Sequence, residues 1–302
     1  MSKAIQCTDL VVKYRQKKGG IVNAVQGLTF DVAPGEVVGF LGPNGAGKSS
    51  TLKALMGFVE PVSGDCRIFD VPAGTIDAKS RIGYLPEVAL YYPFLTPLET
   101  LVLYGELQGL RGKALRAEAQ ELLDLVGLGP NMQKQNRTLS KGQLQRVGIA
   151  QSLLGNPELL ILDEVTSGLD PVGRKELRNL LKDRQRQGAT LFFSSHELAE
   201  VEMLCDRILL IHRGRLIEER IVDALKEELR QYSLTFTGSA SMVGITDDME
   251  IIAPGVVRAR FDTKDSLLEA VDRVQNHGRI LDVVAQEGSL EEYFVTAIGR
   301  AA

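Results

Sequence analysis

The residues best placed to do chemistry are Gly42-Pro43-Asn44-Gly45-Ala46-Gly47-Lys48-Ser49, which fit the pattern GxxxxGK[ST]. Glycines let such a loop wrap with its backbone N–H groups turned inward, where phosphate oxygens accept them. A helix starting at the end of the loop directs its positive pole at the same anion. Lys48 brings a mobile cation to the β- and γ-phosphates and Ser49 a hydroxyl for Mg2+, with Ser50 completing the binding stretch. Average residue usage produces this pattern by accident in roughly one chain in a hundred of this length. Its place after an apolar strand and before a helix makes accident rarer still. The pattern predicts a site for a nucleotide.

A phosphate loop is shared by kinases, GTPases, helicases and transport ATPases, so the later groups must decide between them. Leu139-Ser140-Lys141-Gly142-Gln143 stands before a helix whose apolar positions Leu144, Val147, Ala150 and Leu154 line one side. Ser140 and Gln143 have the spacing of a capping box, which by itself means only a well-started helix. A capped helix start is also an anion site, because its N–H groups and dipole point outward. The apolar strand Leu159–Leu162 runs into Asp163-Glu164, Ser167-Gly168-Leu169-Asp170 follows, and a further strand leads to Ser194-Ser195-His196.

This ordered set resembles the ATP-binding cassette family over the first three quarters of the chain. The resemblance makes Gly42–Ser49 the Walker A loop and Ser140, Lys141, Gly142 and Gln143 the signature loop. Asp163 and Glu164 become the end of Walker B, Ser167 and Asp170 part of the D-loop, and His196 the switch histidine. Tyr14, upstream of the phosphate loop, matches the residue that stacks on adenine. In these roles Asp163 holds a water on Mg2+ and Glu164 polarises the attacking water, a positioned base contributing about 10²–10⁴-fold. His196 hydrogen-bonds the γ-phosphate. The signature loop completes the γ-phosphate site of a second subunit, so two chains sandwich two ATP molecules head to tail.

Three positions depart from the family pattern. Glu87 stands where glutamine is usual and keeps an oxygen for Mg2+ or its water. Lys141 replaces the first signature glycine and adds a cation near the partner's phosphates. Val165 replaces a proline after Glu164, which loosens the turn into the D-loop. Glu87 and Lys141, with Ser289-Leu290-Glu291-Glu292-Tyr293-Phe294, resemble the ATPase subunits of the ABC-2 export branch, which pair as homodimers or heterodimers with separate membrane chains. In that setting Tyr91, Tyr92 and Phe94, just after Glu87, are expected to face the membrane subunit.

The elements that must position these groups read as an α/β P-loop fold. Val37–Leu41 is a fully apolar, β-leaning run suited to a sheet covered on both faces. A helix from Lys48 to about Met56, a helical insert over about 89–156, and strands at Leu159–Leu162, Thr190–Ser194 and Ile208–Ile211 complete a nucleotide-binding domain over 1–223. His212 falls in a hairpin turn without chemistry, and Arg174–Arg186 reads as a solvated helix face. Residues 224–302 read as a small α+β appendix: strands at Ser233–Thr237, Val256–Phe261 and Ile280–Val284, a helix carrying Leu267, Leu268, Val271 and Val274, and a last helix capped by Ser289 and Glu292.

A net charge of −4 argues against a nucleic-acid partner. Cys7, Cys66 and Cys205 are far apart in sequence and fit a reducing cytoplasm. No apolar run approaches the ~20 residues that span a bilayer, so membrane work falls to a partner, and the chain is expected on the cytoplasmic side of the membrane. The leading expectation is an exporter ATPase using ATP and Mg2+. A cassette ATPase acting on DNA or ribosomes is disfavoured by the single cassette and the lack of sustained heptads or a basic tail. A nucleotide sensor without turnover is disfavoured by Glu164 and His196.

Overall fold

The computed structural model describes residues 2–15, 19–88, 90–195, 198–238, 248–276, 278–286 and 290–301. The chain divides into two compact units, Met1–Arg220 with the last two residues, and Ile221–Arg300.

In the first unit, β1 (Ile5–Arg15) and β2 (Ile21–Val32) form an antiparallel pair, and β3 (Val37–Leu41) leads into the phosphate loop and α1 (Lys48–Leu55). Strands β4 (Ser63–Ile68) and β5 (Val71–Pro72), the short α2 (Ile76–Lys79) and β6 (Ile82–Leu85) follow. The helical insert contains α3 (Pro97–Leu107), α4 (Gly112–Leu125) and α5 (Lys141–Ser152). Then β7 (Leu159–Asp163), α6 (Pro171–Arg186), β8 (Thr190–Ser195), α7 (Leu198–Leu204), β9 (Arg207–His212) and β10 (Arg215–Ile221) complete the order.

Two sheets result. One is antiparallel in the order β2-β1-β4-β5, and the other runs β10-β9-β3-β8-β7-β6. Every residue of β3, β7 and β8 is buried, as expected of strands covered on both faces. Phe30 of β2, Phe40 of β3 and Phe192 of β8 bring the sheets together, with ring centroids 5.2–5.8 Å apart. Each such pair contributes about 0.5–1.5 kcal/mol beyond its area. Cys7 and Cys66, distant in sequence, are register partners across β1 and β4, both buried with free thiols.

The insert seats its helices on the parallel sheet through β6. A Cβ on Gly83 would lie 1.8 Å from the Ser152 carbonyl, so only glycine permits α5 to end there. Helix α3 begins with a capping box formed by Thr96 and Glu99. Leu107, near the end of that helix, is 75% exposed, and Leu110 lies beyond the helix end. Helix α6 is solvated on one side only, as Leu177 and Leu181 are buried and Arg178 pairs with Glu200 at 2.8 Å.

The second unit contains α8 (Val222–Glu228), β11 (Gln231–Thr237), β12 (Met249–Ala253), β13 (Val256–Phe261), α9 (Lys264–Gln275), β14 (Arg279–Gln286) and α10 (Leu290–Ala301). Its strands form a sheet in the order β12-β13-β11-β14. Leu234, Phe236, Val257 and Ala259 pack against Leu267, Ala270 and Val274 of α9. Strand β12 is absent from the sequence expectation; its side chains are largely exposed, with Met249 alone packed on the core. Ser289, proposed to cap the last helix, lies outside the described residues.

Candidate functional site

The phosphate loop is held from three sides. A Cβ on Gly47 would sit 2.5 Å from the Ala24 carbonyl of β2, and one on Gly42 would sit 2.3 Å from the Ile211 carbonyl of β9. Gly47 has φ 112°, a conformation open to glycine, and starts α1 with no side-chain cap. The first N–H groups of α1 are therefore left for another acceptor. The turn Arg213-Gly214 between β9 and β10, read correctly as a hairpin, donates Gly214 N–H to Ala46 O at 2.7 Å. Both ring nitrogens of His212, beside that turn, are buried without a hydrogen-bond partner.

The loop opens on a cleft of about 490 Å³ lined by Tyr14, Asn23, Pro43 to Ser50, Glu87 and Glu164. Five segments distant in sequence thus meet here, four of them carrying residues expected from sequence. Tyr14 stands opposite Val22 in the β1–β2 pair, its ring packed on the core and lining the cleft. Lys48 is buried and its Nζ donates to Gly42 O at 2.6 Å. Burial lowers its pKa from the ordinary lysine value, opposed by the carboxylates of Glu164, Asp163 and Glu87.

Asp163 ends β7, buried, and accepts a hydrogen bond from Ser194 Oγ of β8. Glu164 follows with φ 52°, a conformation rare outside glycine, and its N–H donates to the carbonyl and the hydroxyl of Ser194, each at 3.2 Å. One serine therefore orients both acids. Sequence reading gave Ser194 no role, since the signal lies in the β7–β8 register, Asp163 opposite Ser194. Burial, helped by the nearby Asp163 carboxylate, pushes the Tyr84 phenol up to about 12.

The remaining expected residues gather elsewhere. Ser140 caps α5, its Oγ accepting from Gln143 N–H at 3.2 Å while Gln143 Oε1 accepts from Ser140 N–H at 3.0 Å, the capping box read from sequence. Asp170 caps α6 by accepting from Gly173 N–H at 2.8 Å. Lys141 Nζ lies 3.3 Å from Ser167 Oγ of its own chain. Val165 does not loosen the turn, because it is buried and its carbonyl accepts from Gln145 Nε2 at 3.0 Å. Of Ser140 to Gln143, Ser167 and Asp170, none lines the cleft. His196 lies outside the described residues. Tyr91 turns inward, its hydroxyl 3.4 Å from Gln151 Oε1 and its ring edge-on to Tyr104, whereas Tyr92 and Phe94 are exposed.

A strand–glycine loop–helix cradle with a buried lysine and facing carboxylates defines a P-loop nucleotide-binding protein. Residues 25–167 match the ABC transporter family model. The chain is 37% identical to the bacitracin transport ATP-binding protein BcrA of Bacillus licheniformis, over 99% of this chain and 98% of that protein. It is 31% identical to the linearmycin resistance ATP-binding protein LnrL of Bacillus subtilis, over 94% and 96% respectively. Among solved structures, a dimeric ATP-binding cassette in a post-hydrolysis state with ADP and Pi has a TM-score of 0.68. That structure is 24% identical, covering 72% of this chain and 98% of its own, and shows the same fold. The chain belongs to the ABC transporter family as an ATP-binding, ATP-hydrolysing subunit.

Proposed function

We propose that this chain works as a head-to-tail dimer that powers an exporter formed by separate membrane chains. The observation that carries the reading is the single cleft joining the phosphate loop, Lys48, Glu87 and Glu164. The triphosphate takes the open N–H groups of α1 and the Lys48 ammonium, with adenine against Tyr14. Ser140, Gly142, Gln143 and the backbone N–H of Lys141 of the second chain close over the γ-phosphate, with Ser167 and Asp170 of the D-loop alongside, and His196 contacts the same group.

No cluster of three or more His, Cys, Asp or Glu side chains suited to a metal occurs among the described residues. The oxygen donors here, Ser49, Asp163 and Glu87, instead suit a Mg2+ ion that keeps water and phosphate ligands. When bound, that ion neutralises charge on the phosphates. Glu164 accepts a proton from water as the new O–P bond forms at the γ-phosphorus and the bond to the bridging oxygen of ADP breaks. Phosphate then leaves, and the dimer loses its shared contacts.

No helix among the described residues is long and apolar enough to cross a membrane. The chain attaches to the cytoplasmic face through membrane subunits, using the exposed Tyr92 and Phe94, a reading supported by the transporter relatives. Their names, bacitracin transport and linearmycin resistance, support export. The second unit is an accessory domain. Glu164→Gln tests the site. The variant is expected to bind MgATP, lose at least about 10²-fold in turnover and accumulate as an ATP-dependent dimer on gel filtration. Normal turnover would assign the base elsewhere.

A further inference from the structure

We propose that Lys141 is a positioning residue that locks the signature loop to the D-loop of its own chain, so that closure over a partner's ATP is transmitted to its own Glu164. The inference rests on the head-to-tail reading. Its geometry lies within one chain. Lys141 Nζ donates to Ser167 Oγ at 3.3 Å. The lysine stem covers Gly168, where an added Cβ would lie 3.2–3.3 Å from Lys141 Cγ, Cδ and Cε. Gly142 approaches so closely that its own Cβ would be 2.7 Å from Gly168 O.

A second tie lies one turn along α5. Buried Gln145 donates Nε2–H to the carbonyl of Val165, the residue after Glu164, at 3.0 Å. Ser167 N–H in turn donates to Glu164 O at 3.0 Å. The first two turns of the signature helix are thus fastened to the segment 164–168 at its start and its end. Arg146 adds a third brace, donating Nη1–H to Val126 O at 2.6 Å and pairing through Nη2 with Glu176 of α6 at 2.8 Å.

A load on the signature loop therefore reaches Glu164 through hydrogen bonds and close backbone packing, without crossing a mobile linker. Glu164 is the element that can respond. Its φ of 52° is held by the Ser194 contacts and by this segment. A glycine at position 141, the residue the family resemblance leads one to expect there, offers neither the ammonium nor the stem. Lys141 is occupied in its own chain and is not a spare cation awaiting the partner's phosphates.

Coupling of two sites predicts cooperative hydrolysis, with a Hill coefficient for ATP approaching about 2 in the wild type. The test compares Lys141→Met, which keeps the stem, Ser167→Ala, which removes the acceptor, their double variant and Lys141→Arg. Each single change is expected to bring the Hill coefficient toward about 1 and lower kcat about fivefold. The double variant should lose no more than either single, and Lys141→Arg should restore most of the cooperativity. In a Glu164→Gln background, the ATP concentration that half-saturates dimerisation should not move. Additive losses, or a higher ATP requirement for dimerisation with Lys141→Met alone, would overturn the proposal by assigning the ammonium to the triphosphate. A Glu164→Gln chain that never dimerises would instead overturn the head-to-tail reading on which the proposal stands.

Discussion

Replacing Lys48 with methionine separates the cost of keeping an ammonium in the phosphate loop from its use. The side chain is buried, and Nζ donates to Gly42 O at 2.6 Å. Methionine keeps most of the stem but gives up a charged hydrogen bond worth about 1.5–3 kcal/mol. It also removes a desolvation that outweighs the attraction of three carboxylates, since the lysine pKa is lowered on balance. The two effects offset, so the unliganded variant should match the wild type within about 1 kcal/mol. With ATP at a hundred times its Kd, the wild type gains about 2.7 kcal/mol. For a unit of this size that is about 5–10 °C in the thermal midpoint. The variant should gain nothing at the same concentration.

The pH dependence follows from the same lysine. Its pKa is lower folded than unfolded, so between the two values the unfolded chain holds more protons. Stability of the unliganded wild type should therefore rise with pH across the interval that ends near the ordinary value of 10.5, and Lys48→Met should remove that rise. Bound triphosphate raises the lysine pKa again, so ATP binding in the interval takes up a proton. Calorimetry in two buffers of different ionisation heat measures the uptake. An unliganded variant weaker by more than about 3 kcal/mol, or one with an undiminished ATP shift, would refute the account.

Two further substitutions probe the surroundings. Ser194→Ala deprives buried Asp163 of a donor while Glu164 N–H keeps the Ser194 carbonyl. A hydrogen bond to a charged group is worth about 2 kcal/mol, so calorimetry should show a fall of about 4–8 °C, with KM for Mg2+ rising more than KM for ATP. An unchanged midpoint would remove Ser194 as the orienting group. Tyr92→Ser with Phe94→Ser should abolish sedimentation with membranes carrying the cognate subunits while leaving ATP binding intact, whereas Tyr91→Ser should cost about 2 kcal/mol or more of stability. Full recruitment of the double variant would exclude those rings from the membrane interface.

What could be read from sequence was what local pattern controls. Strands β3, β7 and β8 are buried on both faces, and β3 and β7 therefore appear as apolar runs, Val37–Leu41 and Leu159–Leu162, whereas β8 is apolar only over Leu191–Phe193. The phosphate loop is legible because its glycines, lysine and serine are contiguous. Properties set by distant partners were not. Val165 seemed a weak point until Gln145, twenty residues earlier, was found on its carbonyl. Tyr91 and Tyr92 are neighbours with the same side chain, and only the position of Tyr104 and Gln151 sends one inward. Leu107 keeps a helical spacing but sits at the end of α3, where no facing element covers it.

Two helix starts of this chain, those of α1 and α5, differ in a way that bears on the proposed head-to-tail pairing. Helix α1 has no side-chain cap and opens directly into the cleft with Lys48 and Glu164. Helix α5 is closed by the Ser140–Gln143 box, which satisfies one N–H at each end of the motif and leaves those of Lys141 and Gly142 for another acceptor. Its residues do not line the cleft. Braces to Val165, Ser167 and Glu176 tie α5 to the 164–168 segment and α6. In the proposed head-to-tail pair, every triphosphate would meet one start of each kind. Under that proposal the same braces make α5 a rigid lever on Glu164 beside it.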